Sequence, residues 1–217
     1  MRNDECGMHG PITHSPLPIP HSVLGSPESV KAVRLFVAVH LTDEIRERLA
    51  AVQERLRSVQ ADVSWVRPEN LHITIKFLGE VEPKRLDRIR PALTEVARSV
   101  APFSLEVAGM GVFGGRIPRL VWVGAQAGSA QLTELARRVE YGLGRVGFPK
   151  EKRGFTAHFT LGRVRSPRNV ESLLAALHEE PAEGFGAAPV SQCSLMQSEL
   201  NPSGSIYTEL DRFLFEA

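Results

Sequence analysis

Two short segments of this chain read almost alike: His72-Ile73-Thr74 and His158-Phe159-Thr160. Each closes a unit of the same make. A β-forming run opens the unit, Arg34-Leu35-Phe36-Val37-Ala38-Val39 in the first and Arg119-Leu120-Val121-Trp122-Val123-Gly124 in the second. An amphipathic helix follows, and the His-x-Thr strand comes at nearly the same distance downstream. A repeat of this kind leaves few folds open. It predicts two lobes related by an approximate two-fold axis, with the two His-x-Thr strands brought to one cleft.

The remaining elements fit an α+β class rather than a regularly alternating parallel fold. Ile45, Leu49, Val52 and Leu56 recur at helical spacing behind a cap at Thr42 or Asp43. Leu86, Ile89, Leu93 and Val96 do so behind Pro83, a residue suited to the first turn of a helix. Leu132, Leu135, Val139 and Leu143 mark a third helix, and residues 170–177 a short fourth. Strands are expected at 63–66, 71–78, 103–107, 119–123 and 157–164, with a glycine-rich loop before Arg119. Residues 190–199 and 205–215 read as a hairpin turned by Asn201-Pro202-Ser203-Gly204.

Residues 1–32 stand apart. Pro11, Pro16, Pro18, Pro20 and Pro27, with glycines and serines and no amphipathic period, predict a mobile tail, and the domain is expected over 33–217. A metal-binding role for His9, His14 and His21 is a minor reading. Cys6 and Cys193 are too few for a disulfide framework, and neither has a C-x-x-C partner. The 26 basic and 25 acidic residues exclude a histone-like polycation but leave room for a local basic cleft. No apolar run approaches the roughly 20 residues that span a bilayer, and the N-terminus lacks the pattern of a secretory signal. A cytoplasmic monomer with no membrane partner is expected.

Side chains at i and i+2 share a face of a strand. His72 therefore sits with Thr74, and His158 with Thr160. Leu71, Ile73, Ile75 and Phe77 take the opposite face and are expected in the core, as are Ala157, Phe159 and Leu161. The cleft then holds two imidazoles and two hydroxyls. Imidazole titrates near neutrality, so one ring can be charged while the other is neutral. In-line displacement at phosphorus needs a base on the attacking side and an acid on the leaving side. Two symmetry-related histidines supply both, and the threonines can donate to the non-bridging oxygens. Neither motif has metal-ligand spacing, and no cofactor is expected.

The stretches His72-Ile73-Thr74-Ile75-Lys76-Phe77-Leu78-Gly79 and His158-Phe159-Thr160-Leu161-Gly162-Arg163-Val164 resemble the paired signatures of the two-histidine phosphoesterases. Trp65-Val66-Arg67-Pro68-Glu69-Asn70-Leu71 and Arg34-Leu35-Phe36-Val37-Ala38 look like the RNA 2′,3′-cyclic phosphodiesterase branch, also called LigT-like or 2′-5′ RNA ligase. The resemblance runs from about Val33 to the C-terminus. It implies a bilobal α+β fold, with mainly antiparallel sheets flanking a cleft and helices outside. It also implies metal-independent hydrolysis of an RNA 2′,3′-cyclic phosphate to a 2′-phosphate, with His72 as proton donor and His158 as proton acceptor. Thr74 and Thr160 would hold the phosphate. Some members also join RNA ends through a 2′-5′ bond.

Arg163 matches an arginine of the family's second motif, yet five positions from His158 an ideal strand turns it away. Gly162 could permit a bulge that re-aims it. Lys150, Lys152, Arg153, Arg165 and Arg168 gather around the second motif and could steer an RNA backbone. Phe155 or Phe148 could stack on a base. Lys76, by its parity with His72 and Thr74, is expected at the cleft as a further RNA contact. Trp65 and Trp122 are read as packing residues, His40 and His178 as structural or exposed. Two other functions keep the same residues: a phosphodiesterase for a small cyclic nucleotide such as ADP-ribose 1″,2″-cyclic phosphate, and a nucleotide-binding module without turnover. The intact pair of motifs argues against the second.

Overall fold

Apolar runs and helical stripes place the elements in the order β1 (Val33–His40), α1 (Asp43–Arg57), β2 (Val63–Trp65), β3 (His72–Val81), α2 (Leu86–Arg98), β4 (Phe103–Gly114), β5 (Pro118–Ala125), α3 (Ser129–Arg145), β6 (His158–Val164), α4 (Val170–Glu179), β7 (Gly186–Val190), β8 (Gln192–Asn201) and β9 (Gly204–Leu214). The structure, a computed structural model, describes residues 31–115, 117–180, 184–201 and 204–217. The readings on His9, His14, His21 and Cys6 fall outside the described residues. Pro83 begins a 3₁₀ turn, Pro83–Arg85, that leads into α2. The expected glycine-rich loop is shorter than read: β4 continues to Gly114, and β7 is an added strand. Both carry small residues with little β propensity, so only their partners hold them extended.

The strands form two antiparallel sheets, ordered β3-β1-β8-β9 and β2-β6-β5-β4-β7. Strands β3, β1, β8 and β9 of the first correspond to β6, β5, β4 and β7 of the second, and β2 is an extra strand on the outer side of β6. The two-fold relation read from the repeat is therefore present, but its register is shifted. The sequence comparison sets Val37 against Trp122. Strand pairing instead sets Ala38, opposite Thr74, against Trp122, opposite Thr160. The run Leu35–Val39 is apolar on both faces, so its own pattern does not reveal which side each residue takes.

The lobes are not consecutive halves of the chain. Strand β2 leaves the first unit to join the second sheet, and β8 and β9 return to the first. The helices cross as well. Helix α1 follows β1 but packs toward the second sheet, where buried Gln53 Nε2 donates to the carbonyls of Val66 and Leu161, each at 2.8 Å. Helix α3 follows β5 but packs on β3. Their apolar stripes, Ile45-Leu49-Val52-Leu56 and Leu132-Leu135-Val139-Leu143, enter one continuous core. Neither lobe buries its own apolar face without the other half of the chain, so the two fold as one body.

Candidate active site

Each His-x-Thr strand is broken at the same place. Between β1 and β3 the pairing skips Ile75, and between β5 and β6 it skips Leu161. A bulge turns every later side chain to the other face. Phe77 and Arg163 therefore join the His–Thr face, and both are exposed. They are equivalent positions of the two strands. Gly162 lets β2 pack against the second bulge: a Cβ there would lie 2.5 Å from Val63 Cγ1 and 3.0 Å from the Trp65 ring. In the first bulge the corresponding residue is Lys76, which is turned inward.

The two imidazoles are held alike. His72 Nδ1–H donates to the Asn70 carbonyl at 2.7 Å, and His158 Nδ1–H to the Thr156 carbonyl at 2.8 Å. Each acceptor lies two residues before its histidine. These bonds fix the tautomer and leave both Nε2 atoms for chemistry. His72 Nε2 lies 3.0 Å from Thr74 Oγ1. Strands β3 and β6 adjoin across the cleft, and the charge of His158 acts on His72.

Aromatic rings fix the imidazoles from behind. His72 stacks on Phe36 at 4.9 Å and meets Tyr207 edge-on at 5.2 Å. His158 meets Phe113 edge-on at 5.0 Å, and Phe113 stacks on Trp122. Phe36, Ala38 and Met196 form a small apolar floor beside His72. Burial there pushes His72 down to about 4, against the bond to the Asn70 carbonyl, which acts in the opposite direction; charges on His40 and His158 add to the lowering.

That shift has a consequence for stability. The unfolded ring takes its proton near pH 6.5, the folded ring only near 4, so the unfolded chain binds the extra proton as pH falls between them. The contribution is full above about 6.5 and is lost toward 4. His72→Ala is expected to lose less stability than the parent between pH 7.5 and 4.5, by about 2 kcal/mol in urea unfolding, since one pKa unit is worth about 1.4 kcal/mol and a half-buried ring keeps part of it. Parallel curves would show that the ring is not enclosed.

A family model described as LigT like Phosphoesterase matches residues 39–123 and, a second time, residues 121–207, one match on each repeated unit. The chain belongs to the LigT-like phosphoesterase family. The RNA 2′,3′-cyclic phosphodiesterase of Methanothermobacter thermautotrophicus is 37% identical over 182 residues, covering 83% of this chain and 98% of that protein. The protein of the same name from Archaeoglobus fulgidus is 40% identical over 182 residues, covering 83% of this chain and 99% of its own. A crystal structure of a Thermus thermophilus protein superposes with a TM-score of 0.72 at 30% identity, over 84% of this chain and 98% of that one.

In this LigT-like phosphoesterase the predicted residues separate into three groups. His72, Thr74, His158, Thr160 and Arg163 share the faces that adjoin at the cleft. Lys152, Arg153 and Arg165 are exposed, with Arg165 Nη2 donating to Ser64 Oγ at 2.9 Å. The others move. Lys76 is not an RNA contact: the bulge turns it inward, where it is 1% exposed and paired with Glu140. Phe77 is not a core residue but a cleft-side ring, 55% exposed. Phe148 is buried under the Arg85 guanidinium, and Phe155 packs half-buried on the core. Phe155 thus serves packing before any base contact. Trp122 lies against Gly111 and Gly124, as a packing residue should. His178 is exposed; His40 is half-buried opposite His72, its Nε2 enclosed without a hydrogen-bond partner among the described residues.

Asn70, Thr156, Phe36, Phe113 and Tyr207 were not singled out by sequence reasoning. The first two carried a signal, since they stand at the same offset before their histidines. The aromatic rings carried none, because parity within an apolar run does not tell a core ring from a cleft ring. Among the described residues no three His, Cys, Asp or Glu side chains gather as a metal-ligand set, and no helix is long and apolar enough to cross a membrane.

Proposed function

We propose that the chain opens the 2′,3′-cyclic phosphate at the end of an RNA, leaving a 2′-phosphate and a 3′-hydroxyl. The observation that carries this is the matched anchoring of two imidazoles on adjoining strands, each with Nδ1–H spent on a carbonyl, so that Nε2 is the nitrogen turned to the threonine side, in His72 within 3.0 Å of Thr74 Oγ1. Water attacks phosphorus as His158 Nε2 takes its proton. The P–O3′ bond breaks as His72 Nε2 gives its proton to the departing oxygen. The hydroxyls of Thr74 and Thr160 donate to the non-bridging oxygens, and Arg163 faces the same charge. Burial by itself favours the neutral His72 ring. The anionic phosphate favours the imidazolium, so the ring reaches its acid form with substrate present. With a ribose hydroxyl in place of water, the same displacement makes a 2′-5′ linkage.

One observation favours the opposite roles: a ring lowered to about 4 is already in the neutral form that a base requires, though its basicity is reduced. The two assignments differ in which alanine variant a sulfur leaving group rescues.

The RNA end, rather than a small cyclic nucleotide, is supported by the names of the relatives and by exposed Lys152, Arg153 and Phe77 beside the motifs. The domain over 33–217 carries the whole site. The direct test is to incubate the protein with RNA ending in a 2′,3′-cyclic phosphate and locate the phosphate in the product. A 2′-phosphate is expected, at an undiminished rate after thorough chelation, because the acid–base pair is complete without a metal. A 3′-phosphate, or activity lost to chelation and restored by one metal, overturns the reading. Neutralising Lys152, Arg153 and Arg165 together should weaken oligonucleotide binding and flatten its salt dependence. For a single strand the slope should shrink by about 0.7 for each phosphate that is no longer neutralised. An unchanged slope would make these cations a solvated face.

A further inference from the structure

The inward turn of Lys76 builds a closed circuit. Lys76 Nζ donates to Glu140 Oε1 at 2.5 Å and to the Pro149 carbonyl at 2.9 Å. Glu140 Oε2 accepts the backbone N–H of Glu151 at 3.3 Å. Glu151 Oε1 accepts the backbone N–H of Phe77 at 2.9 Å, and Phe77 follows Lys76 in the chain. The circuit joins three places: the bulge of β3, the middle of α3, and the segment that leads from α3 into β6.

The two strands differ here in an informative way. Strand β6 has its outer edge covered by β2, and Gly162 at its bulge leaves room for Val63 and Trp65. Strand β3 is the end strand of its sheet, and no strand covers its outer edge among the described residues. The Glu151 carboxylate takes the exposed N–H there instead. An end strand with free amides needs such a cover, and at this site the cover carries exposed Lys150, Lys152 and Arg153 on adjacent residues.

We propose that Lys76, Glu140 and Glu151 are positioning residues that lock the basic segment 150–153 against the Phe77 edge of β3, so that a ring and a row of cations are presented to an RNA strand at a fixed spacing. The circuit touches neither imidazole, so it acts on how a polynucleotide is held and not on proton transfer. This rests on the reading of the protein as an RNA-end phosphodiesterase. It also accounts for a buried lysine, which is stable only when paired and hydrogen-bonded.

The test uses two variants of the full chain: Glu151→Ala, at an exposed position, and the double Lys76→Met/Glu140→Leu, which replaces the ion pair with apolar groups of similar size. Kinetics are compared on an RNA oligonucleotide ending in a 2′,3′-cyclic phosphate and on a cyclic mononucleotide, and amide hydrogen exchange is followed at Phe77. In both variants Phe77 exchange should accelerate at least about tenfold, as expected for an edge amide released from its acceptor. KM for the oligonucleotide should rise about tenfold, the scale of one charge-assisted hydrogen bond, while kcat and all mononucleotide constants stay within about twofold. Combining the variants should add little, because one circuit is broken twice. Oligonucleotide KM unchanged, or mononucleotide turnover falling equally, overturns the proposal. A parent protein inactive on both substrates overturns the phosphodiesterase reading instead, and the Phe77 exchange still decides the lock. If the double variant fails to fold, Glu151→Ala decides alone.

Discussion

Alanine at either His72 or His158 is expected to lower turnover by about 10²–10⁴-fold, the usual worth of one proton-transfer partner. The parent rate should follow a bell-shaped pH profile whose two limbs belong to the coupled pair rather than to either ring. Binding of a 2′-phosphate product should suffer less, because Thr74, Thr160 and Arg163 remain. The roles are separated by a substrate in which sulfur replaces the 3′-oxygen. A thiolate departs with little need of a proton, so His72→Ala should be largely rescued and His158→Ala should not. Rescue of His158→Ala alone would assign the base to His72, whose ring burial keeps in the neutral form. Rescue of neither would count against general acid catalysis by both rings.

The second large effect is expected at the bulge of β6. Arg163→Ala should reduce kcat/KM by about 10–100-fold, in line with roughly 1.5–3 kcal/mol for a hydrogen bond to a charged group. Gly162→Val should reproduce that loss with Arg163 still present. Its side chain would meet Val63 Cγ1 and the Trp65 ring closer than packing allows. Relief requires β2 to move off β6 or the bulge to close, and a closed bulge sends Arg163 to the opposite face. Overpacking of this kind costs about 1–3 kcal/mol, so Gly162→Val should also lower Tm while Arg163→Ala should not. Full activity in Gly162→Val would mean that the bulge does not aim the arginine.

The i, i+2 rule placed His72 with Thr74 and His158 with Thr160, and each pair does share a face. It failed two residues later in both strands. Alternation alone puts Phe77 in the core and Lys76 in the cleft, and the bulge exchanges them. In β6 a glycine beside Arg163 marks a place where a strand can bulge, while Lys76 in β3 carries no such mark. The tether Gln53, which holds the Leu161 carbonyl beside the second bulge, was hidden as one polar residue within a helix otherwise read by its apolar stripe.

The sequence by itself determined the class of fold, the repeat, the paired motifs and the residue types available for acid–base chemistry. Those follow from local periodicity and from side-chain chemistry, which every residue carries with it. Tertiary structure decided which faces meet, which residues after each bulge look into the cleft, and that the lobes interleave so that α1 completes the second and α3 the first. A bulge is one extra residue placed by the partner strands on either side, and a buried lysine is tolerable only once Glu140 and Pro149 arrive from distant parts of the chain. Neither condition is local, so neither could be read from the segment in which it acts.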